Sequence, residues 1–166
     1  MIGIVADTPA PTAGVGITAT TMDLVGRHYH LIGFGGSGEV TAVLDRWTRE
    51  LDAAGLSAVT YPLVGAEDIE GLIAASTVGS RLLIAGPAHE VMDAIAIARD
   101  AGVLPCELLV HMTPSEIITI FCPHCGTGTR ATTRPGETTE CAGCARVLLV
   151  RPHTSTHHAS YLASVA

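Results

Sequence analysis

The chain has 166 residues, 48% of them hydrophobic, which suits one full domain or one domain with a small additional module. Its formal net charge is −7 and no cluster of arginines interrupts this balance, so we expect no nucleic-acid partner. The start lacks the basic region of a signal peptide, and no run of apolar residues is long enough to span a bilayer. We therefore expect no membrane partner and a cytoplasmic location.

The first 26 residues are rich in Gly, Thr, Ala and Pro and carry few charges. Residues 9–14 are typical of a turn or linker, and residues 15–21 could form an edge strand. We interpret residues 1–26 as an N-terminal extension that carries no chemistry.

Residues 27–113 alternate short apolar runs with amphipathic stretches, which predicts strands alternating with helices. The predicted strands cover 29–34, 56–64, 81–85 and 107–112. The predicted helices cover 39–54, 66–76 and 91–101. This alternation implies right-handed crossovers and a parallel sheet. The predicted fold class is therefore α/β, with a trimmed doubly wound parallel sheet in this domain.

A glycine-rich loop separates the first predicted strand from the first helix and matches the pattern GxGxxG. Such a loop can bring backbone N–H groups to a pyrophosphate at the helix N-terminus, so NADPH is a possible cofactor here. The alternative is a tight strand-to-helix turn without a ligand, and Glu39 adds negative charge near the phosphate position. The candidate cofactor-binding residues are Gly35, Gly36, Ser37 and Gly38. We predict no catalytic residue; His89, after the third strand, is the best lone candidate.

Two CxxC pairs, fifteen residues apart, dominate residues 114–166. Each pair forms a tight turn with two sulfurs on one side, so the spacing predicts one tetrahedral metal site. The predicted ligands are Cys122, Cys125, Cys141 and Cys144. Four thiolates leave no open position, so we predict structural Zn²⁺; iron held by the same sulfurs is the alternative. The module is predicted to be a small β zinc ribbon with strands at 117–121, 130–134 and 147–150.

The tail after the ribbon contains three histidines and then Tyr161 and Leu162. The adjacent His157 and His158 cannot both face one way on a strand, and no carboxylate accompanies them, which disfavours a second metal site. We predict that this tail lies outside the core of the ribbon and forms an interface, with Tyr161 as an anchor.

Two resemblances add to these predictions. The segments Gly35-Gly36-Ser37-Gly38, Leu83-Ile84-Ala85-Gly86-Pro87 and Glu107-Leu108-Leu109-Val110 resemble the nicotinamide-binding domain of the ferredoxin–NADP reductase family, over residues 30–112. In that family a cysteine usually stands where this chain has Ala85. The resemblance implies a nicotinamide-nucleotide-binding electron-transfer component, which is the alternative function.

The second resemblance covers the whole chain and is most specific in the last 50 residues. The segments Phe121-Cys122-Pro123-His124-Cys125, Cys141-Ala142-Gly143-Cys144 and Leu148-Leu149-Val150, with the His- and Tyr-containing tail, resemble the DmmA-like subunit family of dimethylamine monooxygenase. The resemblance implies a small accessory subunit, not catalytic alone, of a haem-dependent complex. That complex uses NADPH and O₂ to convert dimethylamine to methylamine and formaldehyde. Haem, flavin and iron–sulfur groups would belong to the partner subunits, and the zinc ribbon would dock this subunit on them.

Overall fold

A computed structural model describes residues 22–62, 65–155 and 157–166. A four-stranded sheet is followed by a five-stranded sheet. The first part consists of β1 (His28–Gly33), α1 (Gly38–Ala53), β2 (Ala58–Tyr61), α2 (Ala66–Ala75), β3 (Ser80–Pro87), α3 (Ala88–Asp100) and β4 (Leu108–Thr113). The second part consists of β5 (Ile117–Phe121), β6 (Gly128–Thr132), β7 (Thr138–Glu140), β8 (Val147–Ser155) and β9 (Ser160–Val165). The edge strand predicted at 15–21 lies outside the described residues.

The first sheet is parallel, with the strand order β2-β1-β3-β4. Helices cover both of its faces, and the alternation of side chains along β1 shows how. Tyr29 and Leu31 pack with the buried side chains of α1, whereas Ile32 and Phe34 pack with those of α2 and α3. These contacts confirm the prediction of an α/β fold built on a parallel sheet.

Helix α1 forms because its apolar residues recur on one face and its first turn has a capping side chain. The buried face consists of Val40, Val43, Leu44, Trp47 and Leu51. The hydroxyl of Ser37 accepts the N–H of Val40 at 3.3 Å, which satisfies one of the free donors at the helix start. Burial of each large apolar side chain contributes about 1.5–3 kcal/mol, so this face holds the helix on the sheet.

An ion pair connects the segment before β1 to the parallel sheet. The guanidinium of Arg81 on β3 donates to Asp23 at 2.8 Å. The other carboxylate oxygen of Asp23 accepts the N–H of Val25 at 2.9 Å. The Val25 N–H and the Arg81 guanidinium together lower the pKa of Asp23. The last residues before β1 are thus part of the folded α/β module.

The five-stranded sheet has the order β6-β5-β9-β8-β7. Strand β9 lies in its centre, antiparallel to β8 and parallel to β5. The prediction that the tail lies outside the ribbon core was wrong, because β8 continues to Ser155 and the chain then returns as β9. Tyr161 packs against the buried cluster of this sheet, which contains Ile120, Leu148 and Cys122.

Among the residues described, polar side-chain contacts connect α3 with the five-stranded sheet and with the segment before it. Arg130 on β6 pairs with Asp93 on α3. The imidazole Nδ1 of His89, at the start of α3, lies 3.2 Å from the hydroxyl of Ser115, between β4 and β5. Within the described part of the chain, no helix is long and apolar enough to cross a membrane.

Candidate metal centre

The first cysteine turn begins where β5 ends. The N–H of Cys122 donates to the carbonyl of Thr127 at 3.0 Å, and the N–H of Gly126 donates to the carbonyl of Cys122 at 2.9 Å. Gly126 has a φ of 74°, which a glycine adopts without strain. These bonds close the turn with Cys122 buried and Cys125 exposed.

The second turn repeats the same backbone geometry before β8. The N–H of Cys141 donates to the carbonyl of Arg146, and the N–H of Ala145 donates to the carbonyl of Cys141, both at 2.9 Å. Ala145 has a φ of 56° and so takes the position that Gly126 holds in the first turn. Because the two turns have the same hydrogen bonds and the same positive φ, both CxxC segments place their two sulfurs in the same arrangement.

The two turns pack directly on one another. The hydroxyl of Thr129, on β6, accepts the N–H of Ala142 at 3.1 Å and lies 3.9 Å from the sulfur of Cys141. A Cβ on Gly143 would lie 2.4 Å from the hydroxyl oxygen of Thr127 and 3.2 Å from the sulfur of Cys125. Because the two turns lie so close together, only glycine fits at position 143. Neither Thr129 nor Gly143 was predicted from the sequence, although the glycine inside the second CxxC was a visible signal.

The four cysteine sulfurs form one compact group. They lie within 4.8 Å of one another, with 3.8 Å between Cys122 and Cys144 and 3.5 Å between Cys125 and Cys141. A Zn–S bond of about 2.3 Å implies tetrahedron edges of about 3.8 Å, so the spacing fits zinc. Within the residues described, this is the one group of three or more Cys, His, Asp or Glu side chains that could hold a metal ion.

The protonation of the group also favours a cation at its centre. Burial raises the pKa of Cys141, but the N–H groups of Gly143 and Cys144 outweigh it and bring the pKa to about 6. The N–H of Arg146 lowers the pKa of Cys144, yet burial and the three neighbouring sulfurs raise it to about 12. The side chain and the N–H of Thr127 lower the pKa of Cys125 as well, so the sulfurs of Cys125 and Cys141 lose their protons more readily than that of Cys144. Four thiolates coexist at these distances only with a cation between them.

The tail histidines lie apart from the four-sulfur group. The ring of His158 stacks on Phe121 with 3.9 Å between centroids and 14° between planes. The ring of His157 meets that of His158 edge to face at 4.8 Å. His158 therefore covers an aromatic side chain beside the first cysteine turn.

The glycine-rich loop lies at the carboxyl end of β1, as its sequence predicted. Gly35 and Gly36 have φ values of 74° and 55°, and Ser37 caps α1 before Gly38 begins the helix. His89, the lone catalytic candidate, lies at the neighbouring β3–α3 junction and is engaged with Ser115.

Two cysteine turns that offer four sulfurs at the edge of a small sheet define a ribbon-type metal-binding domain. Residues 119–164, which span most of this sheet, match the family described as dimethylamine monooxygenase subunit DmmA-like, C-terminal domain. The predicted resemblance to that family is confirmed for this part of the chain.

A curated relative agrees with this match. The chain is 38% identical over 85 residues to the heme-dependent oxidative N-demethylase delta subunit of Ectopseudomonas mendocina (strain ymp). The alignment covers 51% of this chain and 47% of the relative, so the chain spans about half the length of the curated relative that it matches. No solved structure gives a significant match.

Proposed function

We propose that the chain is an accessory subunit, not catalytic alone, of a cytoplasmic haem-dependent complex that oxidatively demethylates dimethylamine. The similarity of residues 119–164 to the DmmA-like C-terminal domain carries this proposal, and the relative named as a delta subunit supports it. In the proposed reaction NADPH supplies two electrons, one oxygen atom of O₂ goes to a methyl carbon and the other to water. Methylamine and formaldehyde are the products. Haem, flavin and iron–sulfur groups would lie in the partner subunits.

The role proposed for the cysteine cluster is structural. Cys122, Cys125, Cys141 and Cys144 would hold Zn²⁺ with four thiolates and leave no position for water or substrate. Two of these residues, Cys122 and Cys141, are buried in the core of the five-stranded sheet. The bound ion would therefore hold the two turns, and the strands they connect, in one arrangement.

The surface proposed for docking is the face of the five-stranded sheet that points away from its buried cluster. We call it the outer face. Phe121 on β5 is directly paired with Leu162 on β9. On β8, Leu149 is paired with Ser164, and Val147 lies two residues before it. Leu162 is 37% and Val147 49% exposed. Apolar side chains gathered on one face of a sheet, here called the apolar row, are typical of a protein–protein interface, and His158 stacks on Phe121 at one end of it.

Charged side chains border this row. Arg151, on β8, is exposed and donates to the hydroxyl of Ser164 at 2.8 Å, while Glu140 on β7 is paired with Val147. On the same face, Arg130 already binds a carboxylate, that of Asp93. An apolar centre with a polar rim is the usual composition of such interfaces, and the proposed occupant is a partner subunit of the complex.

Co-purification from a host that expresses the whole complex tests the proposal. The tagged wild-type chain should bring down a haem-containing subunit, identified by its absorption spectrum and by mass spectrometry. Leu162→Glu places a charge in the apolar row and should weaken this association at least tenfold, about 1.4 kcal/mol. Leu104→Glu is the matched control, because Leu104 is 56% exposed but lies in the α/β module.

Failure of the wild-type chain to bind any haem-containing subunit would contradict the proposed function. Equal binding by Leu162→Glu and Leu104→Glu would contradict only the docking face.

A second candidate is a nicotinamide-nucleotide-binding electron-transfer component. The observation that favours it is the glycine-rich loop at the carboxyl edge of the parallel sheet, where doubly wound sheets bind ligands. The order β2-β1-β3-β4 is also the order that a Rossmann-type sheet would show without its third strand. NADPH binding by this chain distinguishes the two candidates.

A further inference from the structure

The carboxyl edge of the parallel sheet contains a glycine-rich loop, and this loop is closely packed against the segment that joins β3 to α3. A Cβ on Gly35 would lie 3.2 Å from two ring carbons of Pro87, so the proline ring packs against the loop backbone. A Cβ on Gly86 would lie 2.6 Å from the Cβ of Phe34. The N–H of Phe34 donates to the carbonyl of Ala85 at 2.9 Å. The loop after β1 and the junction after β3 are therefore closely packed beside the carboxyl ends of these neighbouring strands.

The first turn of the helix behind the loop is partly capped by its own residues. The hydroxyl of Ser37 accepts the N–H of Val40, and the carbonyl of Ser37 accepts both the N–H and the hydroxyl of Thr41. In a dinucleotide site, by contrast, the first N–H groups of this helix receive the pyrophosphate. Here an anion would have to compete with the capping side chain.

Two carboxylates give this edge the wrong charge for a phosphate. A Cβ on Gly35 would lie 3.7 Å from Oε2 of Glu90, an oxygen that is buried without a hydrogen-bond partner. Glu39, in the first turn of α1, lies 3.3 Å from Nε2 of His111 on β4. A pyrophosphate at the loop would meet the Glu90 carboxylate directly. The residues present thus do not fit a nicotinamide dinucleotide.

The same edge instead holds the second sheet. His89, which follows β3, contacts Ser115 in the segment leading to β5. Asp93, one turn further along α3, pairs with Arg130 of β6. Thr113, the last residue of β4, is 6% exposed. We propose that the carboxyl edge of the parallel sheet is closed to nicotinamide nucleotides and serves as the docking edge for the metal-binding sheet.

Equilibrium dialysis of the full zinc-loaded chain against NADPH and NADP⁺ tests the first half of this proposal. No saturable binding is expected up to about 1 mM, the weak end of specific affinities. The variant Glu39→Gln/Glu90→Gln removes the two charges and should still not bind, because Pro87 and Phe34 remain in place. A dissociation constant below about 100 µM for the wild-type chain would overturn the proposal. Binding gained by the double variant would show that the crevice is open and would also overturn it.

The second half is tested by nuclear magnetic relaxation of backbone amides in the full chain. If the edge docks the second sheet, the amides of β1, β3, β5 and β9 should report a single rotational correlation time. Separate correlation times for the two sheets would overturn the docking edge. This measurement needs no partner subunit, so it is independent of the proposed function.

Discussion

Gly143 is the residue in the candidate metal centre whose neighbours leave the least room. A methyl group there would overlap Thr127 and press on the sulfur of Cys125. We predict that Gly143→Ala destabilises the five-stranded sheet by about 1–3 kcal/mol and weakens metal retention, because the two turns must separate. Thermal unfolding and competition with a chromogenic chelator measure the two effects. Ala142→Ser is the control, since Ala142 is exposed; equal losses in both variants would contradict the steric explanation.

His30 gives the α/β module a predicted sensitivity to acid. Burial, and to a lesser extent the nearby His28, lower the pKa of His30 below its ordinary value, and its Nδ1 is buried without a hydrogen-bond partner. Since the unfolded chain takes up this proton near pH 6.5 and the folded chain does so only at lower pH, stability should fall as the pH drops below about 6.5. His30→Leu should flatten that part of the stability curve.

Denaturant titrations between pH 8 and pH 5 measure this effect. The matched control is His124→Leu, because the His124 side chain is exposed beside the first cysteine turn. An unchanged slope in His30→Leu would show that the acid sensitivity comes from other groups.

Among the secondary-structure elements, those that depend on residues close together in the sequence were predicted correctly. The recurrence of Val40, Val43, Leu44, Trp47 and Leu51 predicts α1 to within one residue at each end. The spacing within each CxxC likewise predicts the grouping of sulfurs, because each turn is closed by hydrogen bonds over five residues or fewer.

Strand β9 could not be predicted from local sequence patterns. Its partners are β8, reached through an irregular register between Val150 and Thr154, and β5, about forty residues earlier in the sequence. The histidines before it are typical of a loop, and nothing local in the sequence indicates a parallel pairing with β5. The three-residue β7 was missed for a related reason, since so short an edge strand has almost no pattern of its own.

The alternation along β9 leads to a prediction that separates folding from docking. Tyr161 packs on the buried cluster, whereas the neighbouring Leu162 lies on the outer face and is 37% exposed. Tyr161→Ala should therefore destabilise the sheet by about 2–4 kcal/mol, as other large-to-small core substitutions do. Leu162→Ala should cost less than about 1 kcal/mol. Chemical denaturation of both variants provides the comparison, and a larger loss for Leu162→Ala would mean that the faces of β9 are assigned the wrong way round.

At the scale of the whole molecule, the two sheets have separate hydrophobic cores. Among the residues that the structure describes, the clusters around β1 and β3 contain none from the five-stranded sheet. The cluster that includes Cys122 and Cys141 contains none from the parallel sheet. Polar contacts connect the two parts, such as that of Asp93 with Arg130. Although the two modules contact one another, each is therefore stabilised by its own hydrophobic core.

Removal of the metal should therefore unfold one module and spare the other. In Cys122→Ser the cluster loses a ligand, so we predict loss of zinc and of the five-stranded sheet, since structural zinc contributes folding free energy directly. The single tryptophan, Trp47, lies on the buried face of α1 and is 4% exposed, so its fluorescence reports on the α/β module alone and should stay unchanged. Metal analysis should find one zinc ion per wild-type chain, and amide exchange of β5 and β9 follows the second sheet.

The control is Cys106→Ser, because Cys106 is an exposed free thiol in the α/β module. A red shift of Trp47 emission in Cys122→Ser would contradict the independence of the modules, and an iron absorption spectrum in the wild-type chain would contradict zinc.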